Sequence, residues 1–204
     1  MGEIEYAEVD LTEPGRPVFY PKVGHCLYRG IVEDRAVPGL KLLELEDIEE
    51  GSRILIPIER VPKLRLRPAG GALEDIREEL SKEFETPLET DEARQQLIDE
   101  LITEGSAQGL AKALKRLHLI RQTQGLSREE EQTRRRIRSW LAAEVSLAKD
   151  CTRAEAQALI TRILQETMAS HKKKEKEEAK ERRRAAKAAE RQAEEDKQRE
   201  SEQS

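Results

Sequence analysis

The sequence has few aromatic residues and no long apolar run. Aromatic side chains make up 3% of the 204 residues, whereas charged side chains make up 39%. A chain with so much charge and so few large apolar rings cannot bury a core along its whole length, so we expect part of it to be solvated. No stretch reaches the roughly 18 consecutive apolar residues that a membrane-spanning helix needs, which excludes such a helix.

Motifs for metal binding, redox chemistry and catalysis are also missing. Cys26 and Cys151 are far apart in the chain, and the histidines have no Cys, Asp or Glu partners at metal-ligand spacing. There is no glycine-rich phosphate loop and no nucleophile elbow. Residues 1–10 are acidic and lack the apolar run of a signal peptide. We therefore expect a cytoplasmic protein that is not an enzyme, has reduced thiols and holds no metal or cofactor.

The charge balance limits how the protein can bind nucleic acid. The net charge is −5 at pH 7, so the chain does not attract phosphates over its whole surface. Any contact with DNA must use a local basic patch.

The N-terminal third predicts short strands. After an acidic leader at residues 1–14, residues 15–68 carry brief apolar runs rich in Val, Ile and Leu, which Gly, Pro and Asp separate. Five short strands within about 50 residues would leave unprotected edges in a flat sheet, so we expect a small, strongly bent β-barrel. We expect Phe19 and Tyr20 to fill this barrel.

Residues 72–168 predict a helical bundle. Apolar residues recur three and four apart, and Thr90, Ser106, Ser127 and Thr152 stand where helix N-caps are expected. Ser127 and Thr152 each have a Glu three residues later, which is the capping-box pattern. Short connections between the helices favour antiparallel neighbours. The predicted fold class is therefore α+β, a Tudor/SH3-like barrel followed by an all-α bundle.

The longest helix of the bundle, residues 127–149, has an apolar stripe and carries the only Trp of the chain, Trp140. Beyond Met168 the stripe ends, and residues 169–204 mix Lys, Arg, Glu and Ala. Their opposite charges at i,i+4 spacing suit either a disordered tail or an exposed extension of the last helix.

Both halves resemble a known family. Tyr20-Pro21, Gly24, Gly39, Ile56-Pro57 and Leu64 to Arg67 resemble the RNA-polymerase-interacting domain of CarD/CdnL-type transcription regulators, a module shared with transcription-repair coupling factors. Gly105, Leu117 to Gln124, Leu126 to Glu130, Leu141 with Glu144, and Ile163-Leu164 resemble the C-terminal domain of the same regulators. The two halves stand in the family's order.

The resemblance implies a function. In that family the barrel docks on the β subunit of bacterial RNA polymerase by pairing an edge strand, and the helical domain stabilises the open promoter complex by inserting a Trp wedge into the minor groove. It implies polymerase contacts by Arg35, Arg53 and Leu55.

The position of the wedge departs from the family. The Trp should stand near Thr90 or Asp91, where the chain reads PLETDEARQQL with Arg94 as its only cation. We therefore expect the wedge to be absent or moved, with Trp140 either a core anchor or a displaced wedge.

Basic residues of the helical half are candidates for phosphate contact. They are Arg94, Lys112, Arg116, Arg121, Arg134, Arg135 and Arg138, with Lys115 and Arg136 beside them. The same residues also suit a solvated helix face paired with Glu129 to Glu131.

The sequence thus predicts a monomeric transcription regulator that binds the polymerase β subunit and binds promoter DNA weakly. The alternative is a scaffold protein whose barrel binds some other protein, without DNA contact.

Overall fold

The computed structural model describes residues 13–85 and 90–202, and residues 188–202 by their helical backbone alone. Most of the acidic leader at residues 1–14 and the segment around Pro87 lie outside the described residues. The described chain forms an antiparallel sheet followed by helices, which confirms the α+β class.

The sheet has five strands in the order β4-β3-β2-β1-β5. They are β1 Pro17–Tyr20, β2 Gly24–Glu33, β3 Lys41–Asp47, β4 Arg53–Pro57 and β5 Arg67–Pro68, with a 3-10 helix at Ile58–Lys63 after β4. The strand pairings are antiparallel, and among the described residues β4 and β5 are not paired with each other. The expected closed barrel is therefore wrong, because the two edges are not joined by hydrogen bonds.

Two apolar runs that look separate in the sequence form one strand. The runs around Leu27 and Ile31 both belong to β2, and the pairing register with β3 shifts between Tyr28 and Gly30. Gly30 has φ 134°, a conformation open to glycine but strained for other residues. The irregularity lets a ten-residue strand bend across the sheet.

In the described part of the chain, five helices follow the sheet. They are α1 Leu73–Ser81, α2 Asp91–Glu104, α3 Ala107–Thr123, α4 Arg128–Lys149 and α5 Arg153–Glu202. Helix α5 is continuous for 50 residues, so the helical alternative for the charged tail is the one found. Phe84 lies beyond the end of α1 but is still buried, against Leu119 and Met168.

The predicted helix caps are confirmed. The hydroxyl of Ser127 accepts a hydrogen bond from the amide of Glu130 at 3.1 Å, and the Glu130 carboxylate accepts one from the amide of Ser127 at 2.8 Å. Thr152 and Glu155 repeat this arrangement at the start of α5. The caps satisfy amide groups that a helix start leaves without partners.

One apolar core connects the helices to the sheet. Phe19 of β1 is buried in the helical core, where its ring meets that of Trp140 edge to face at 5.4 Å. Tyr20 faces a smaller core within the sheet. The expectation that both rings fill the barrel is therefore wrong for Phe19. Trp140 is 3% exposed, which confirms it as a core anchor.

Across the described residues, no helix combines the length and the apolar character that crossing a membrane requires.

Candidate polymerase and nucleic-acid interfaces

A rigid turn presents Arg35. Asp34 accepts hydrogen bonds from the amides of Ala36 at 2.7 Å and Val37 at 2.9 Å, and the Glu33 carboxylate accepts one from the amide of Gly39. These bonds fix the β2–β3 turn. Arg35 is exposed on it, and Val37 beside it is 53% exposed although apolar. The turn therefore offers a charged and an apolar side chain at low ordering cost.

The edge strand β4 carries the other two predicted polymerase contacts. Arg53 and Leu55 are two residues apart and both exposed, so they lie on one face of β4, whereas Ile56 is buried on the other. Arg53 donates to the Glu44 carboxylate of β3 at 2.5 and 3.0 Å. This bidentate pair holds the guanidinium against the sheet beside Leu55, which is opposite Glu44 in register.

The start of α2, where the family has its wedge, is acidic. Thr90 caps the helix by accepting from the amide of Ala93 at 3.2 Å. Arg94 is paired with Asp91 at 2.9 Å and with Glu130 of α4 at 3.0 Å. The one cation kept from the family's basic stretch is thus held by two carboxylates, and its side chain is 12% exposed.

The cations of α3 are engaged inside the molecule. Glu85 pairs with Lys112 at 2.8 Å and also with Arg116. The hydrogen bond from Lys112 outweighs partial burial and lowers the pKa of Glu85. Lys115 is 2% exposed and donates to the carboxylate and the backbone oxygen of Glu79, each at 2.9 Å. The expectation that Lys115 extends a phosphate-binding patch is wrong, because its ammonium is buried.

The cations of α4 gather around Glu131. Arg134 donates to this carboxylate at 2.9 and 2.7 Å, Arg135 donates at 3.1 Å, and Arg121 of α3 lies 3.9 Å away. The hydrogen bonds from Arg134, acting against partial burial, lower the pKa of Glu131 to about 2. Arg138 instead donates to the hydroxyl of Thr161 at 2.8 Å.

The predicted DNA-contacting cations therefore do not form a single patch. Arg94 lies at the start of α2, and Lys112 and Arg116 lie together at Glu85. Arg121, Arg134 and Arg138 line a cavity between α3, α4 and α5. Arg135 does not line it, and its side chain is 75% exposed.

A buried polar cluster joins the sheet to the bundle, and sequence reasoning missed it. Glu144 is fully buried, with its carboxylate 3.1 Å from His25 Nε2. It accepts from Arg67 Nη1 at 2.6 Å and from the amide of Gly70 at 2.6 Å. Burial opposes ionisation, but His25 and Arg67 together hold the pKa of Glu144 below its usual value. The signal in the sequence for this cluster was Glu144 itself, an acidic residue at the border of the apolar stripe of α4.

The match to a known protein family lies in the helical half of the chain. Residues 75–161, from within α1 to the first turns of α5, match the family model described as the CarD C-terminal domain. No curated protein matches the chain. The match supports the resemblance of the helical half to CarD/CdnL-type regulators, a family of non-catalytic transcription factors. Residues 75–161 are therefore similar to the CarD C-terminal domain, and this match supports a CarD-type, transcription-associated protein.

Proposed function

We propose that this protein binds the β subunit of bacterial RNA polymerase through its sheet and changes the stability of the open promoter complex. The observation that carries the proposal is an open strand edge, β4, on a sheet that is fixed to a CarD C-terminal domain. Residues 15–68 act as the docking domain, residues 72–168 as the promoter-facing domain, and residues 169–204 as a charged extension.

Strand pairing suits the β4 edge. Within residues 13–85 and 90–202, β3 is the one strand that flanks β4, so the other side of β4 can accept a strand from a partner through backbone hydrogen bonds. Leu55 is 43% exposed on this strand and supplies an apolar side chain for a pocket on the partner. The turn that holds Arg35 precedes β3 at the end of the sheet where β4 finishes, since Leu42 is opposite Pro57. Arg35, Arg53 and Leu55 thus serve one docking surface.

The protein's own affinity for DNA is expected to be weak, with tethering to polymerase bringing it to the promoter. Six of the seven predicted DNA-contacting cations have a carboxylate within ion-pair distance, Arg138 being the exception among the described residues. Carboxylates near these cations weaken their attraction for phosphate, and contacts to phosphate alone do not read the base sequence. A factor held at the promoter by polymerase needs little DNA affinity of its own, because tethering raises its local concentration.

The regulatory effect would come from differential binding. A factor that binds the open complex more tightly than the closed one shifts their ratio by about tenfold per 1.4 kcal/mol of difference. Because the sheet is held against the bundle, docking at β4 would also fix the position of the helical domain.

A second candidate is a scaffold protein that uses the sheet to bind another protein and makes no DNA contact. The engagement of the basic side chains with carboxylates of the same chain favours it.

Capture of the isolated polymerase β lobe by the full chain tests the proposal. Leu55→Asp places a charge on the docking edge and should reduce capture by at least tenfold. Ile31→Asp is the matched control, since Ile31 is 51% exposed but aligns with Leu43 and Ile56, on the other face from Leu55. Absence of capture by the unaltered protein would favour the scaffold.

A further inference from the structure

The cavity between α3, α4 and α5 is lined by cations and by no carboxylate. Its volume is about 430 Å³. Arg121 contributes from α3, Arg134 and Arg138 from α4, and Lys172 from α5, with His118 beside them. Arg134 and Arg138 are four residues apart, so one face of α4 carries both.

This positive charge is only partly compensated within the molecule. Glu131 reaches Arg134 and Arg121 from outside the lining. Within the described part of the chain, neither Arg138 nor Lys172 forms an ion pair, and the Nε of Arg138 is buried with no hydrogen-bond partner. A buried donor without an acceptor costs free energy unless a ligand or water supplies one.

The pKa values of neighbouring groups reflect the same positive charge in the cavity. Burial, together with the charges of Arg134 and Arg121, lowers the pKa of Arg138. Burial also lowers the pKa of His118, and Arg134, Arg121, Lys172 and Arg138 add to this effect. Protonating His118 would add one more positive charge to the cluster, which disfavours the charged imidazole.

The chemistry of the lining fits phosphate. A guanidinium presents its N–H groups in a fork that matches the oxygens of a phosphate, and three arginines line this cavity. Arg134 already donates to Glu131 through Nε and Nη2, which leaves Arg121, Arg138 and the remaining N–H groups of Arg134 for a ligand. Thr161 and Gln165 add neutral polar groups, while Leu164 and Met168 provide an apolar wall. The volume lies within the range of about 300–1,000 Å³ that is usual for small-molecule sites.

We propose that this cavity binds a small molecule that carries a diphosphate or triphosphate group, with Arg121, Arg134, Arg138 and Lys172 around the phosphates. A nucleotide has this chemistry, since its base can lie against Leu164 and Met168. A recessed site favours such a ligand over a DNA backbone, which runs across a surface. The site is independent of polymerase docking, because no residue of β4 or of the Arg35 turn lines it.

Calorimetric titration of the full chain with sodium pyrophosphate, with ATP and with a promoter duplex tests this assignment. Arg138→Gln and Lys172→Gln should each weaken ATP binding by about tenfold, as expected for loss of one charge-assisted contact. Lys172 is exposed, so its replacement leaves the fold intact even if Arg138→Gln does not. Arg128→Gln is the matched control, because Arg128 is exposed at the start of α4 and outside the cavity lining, and it should leave the affinity unchanged.

The imidazole of His118 gives a second, local readout. A bound polyphosphate favours the charged imidazole, so pyrophosphate should raise the pKa of His118 as followed by NMR, and Arg128→Gln should not alter that rise. Absence of ATP and pyrophosphate binding at millimolar concentration would overturn the proposal. So would an equal loss of binding in Arg128→Gln. A promoter duplex that binds more tightly than ATP, and does so through Arg138, would make the cavity a DNA contact instead.

Discussion

Arg67 of β5 donates a hydrogen bond from Nη1 to the Glu144 carboxylate of α4 at 2.6 Å. The two residues are 77 positions apart in the chain, and their contact joins the sheet to the bundle. The same guanidinium donates from Nε to the backbone oxygen of Gly105 at 2.7 Å and lies 4.4 Å from the centre of the Phe19 ring. Arg67 thus contacts the sheet, the end of α2 and α4 at once. These contacts join the sheet and the helical domain.

Replacing Glu144 should destabilise the junction strongly. Glu144→Ala leaves Arg67 without its carboxylate in a largely buried site, and breaking a buried pair in this way costs about 3–5 kcal/mol. Urea unfolding followed by circular dichroism measures the change in the free energy of unfolding. Glu129→Ala, an exposed position on the same helix, should cost less than about 1 kcal/mol. Equal effects of the two substitutions would contradict this account of the junction.

Acid should loosen the same contacts. The pKa of Glu144 is lowered in the folded state, and so is that of Glu131, to about 2. A carboxyl group with a lowered pKa contributes its stability above its unfolded pKa of about 4.3, and that stability is lost as pH falls through the folded pKa. Stability should therefore decline from about pH 4.5 towards pH 2, with a shallower decline in Glu144→Gln. Identical pH profiles for the two proteins would exclude Glu144 as a contributor.

Trp140 should behave as a structural residue. Trp140→Ala should cost about 3–5 kcal/mol of stability, since it empties a large buried site. Gly24→Ala should also destabilise, because Gly24 has φ 124° and an added Cβ would overlap the Trp140 indole. The emission of Trp140 should be blue-shifted in the free protein and unmoved by forked promoter DNA. A large emission change on adding that DNA would mean that Trp140 is the displaced wedge.

Local patterns predicted the helices better than they predicted the contacts between the two halves. Capping boxes at Ser127 and Thr152 act within three residues, so the sequence displays them directly. The partner of Lys115 is 36 positions away, and no local pattern indicates it. The burial of Phe19 against Trp140 depends likewise on how the sheet lies on the bundle. Closure of the sheet was misjudged because short edge strands, such as the two-residue β5, also limit an exposed edge, so five short strands do not require a closed barrel.

Charge reversal at Arg35 should weaken polymerase docking. Arg35→Glu should reduce the affinity for the isolated β lobe by about 1 kcal/mol or more, as expected when an interfacial charge is reversed. Lys22→Glu is the matched control, because Lys22 is exposed in the β1–β2 turn at the opposite end of β2. Unchanged affinity in Arg35→Glu, with the circular dichroism spectrum intact, would remove Arg35 from the docking surface.

The most direct test of the account compares promoter binding with and without RNA polymerase at two salt concentrations. The acidic start of α2 and the carboxylate-paired cations predict weak, sequence-indifferent binding by the free protein, which higher salt abolishes. With polymerase present, the protein should join the promoter complex at both salt concentrations and lose that ability in Leu55→Asp. Tight promoter binding by the free protein that survives the higher salt would contradict the claim that docking through the sheet brings it to DNA.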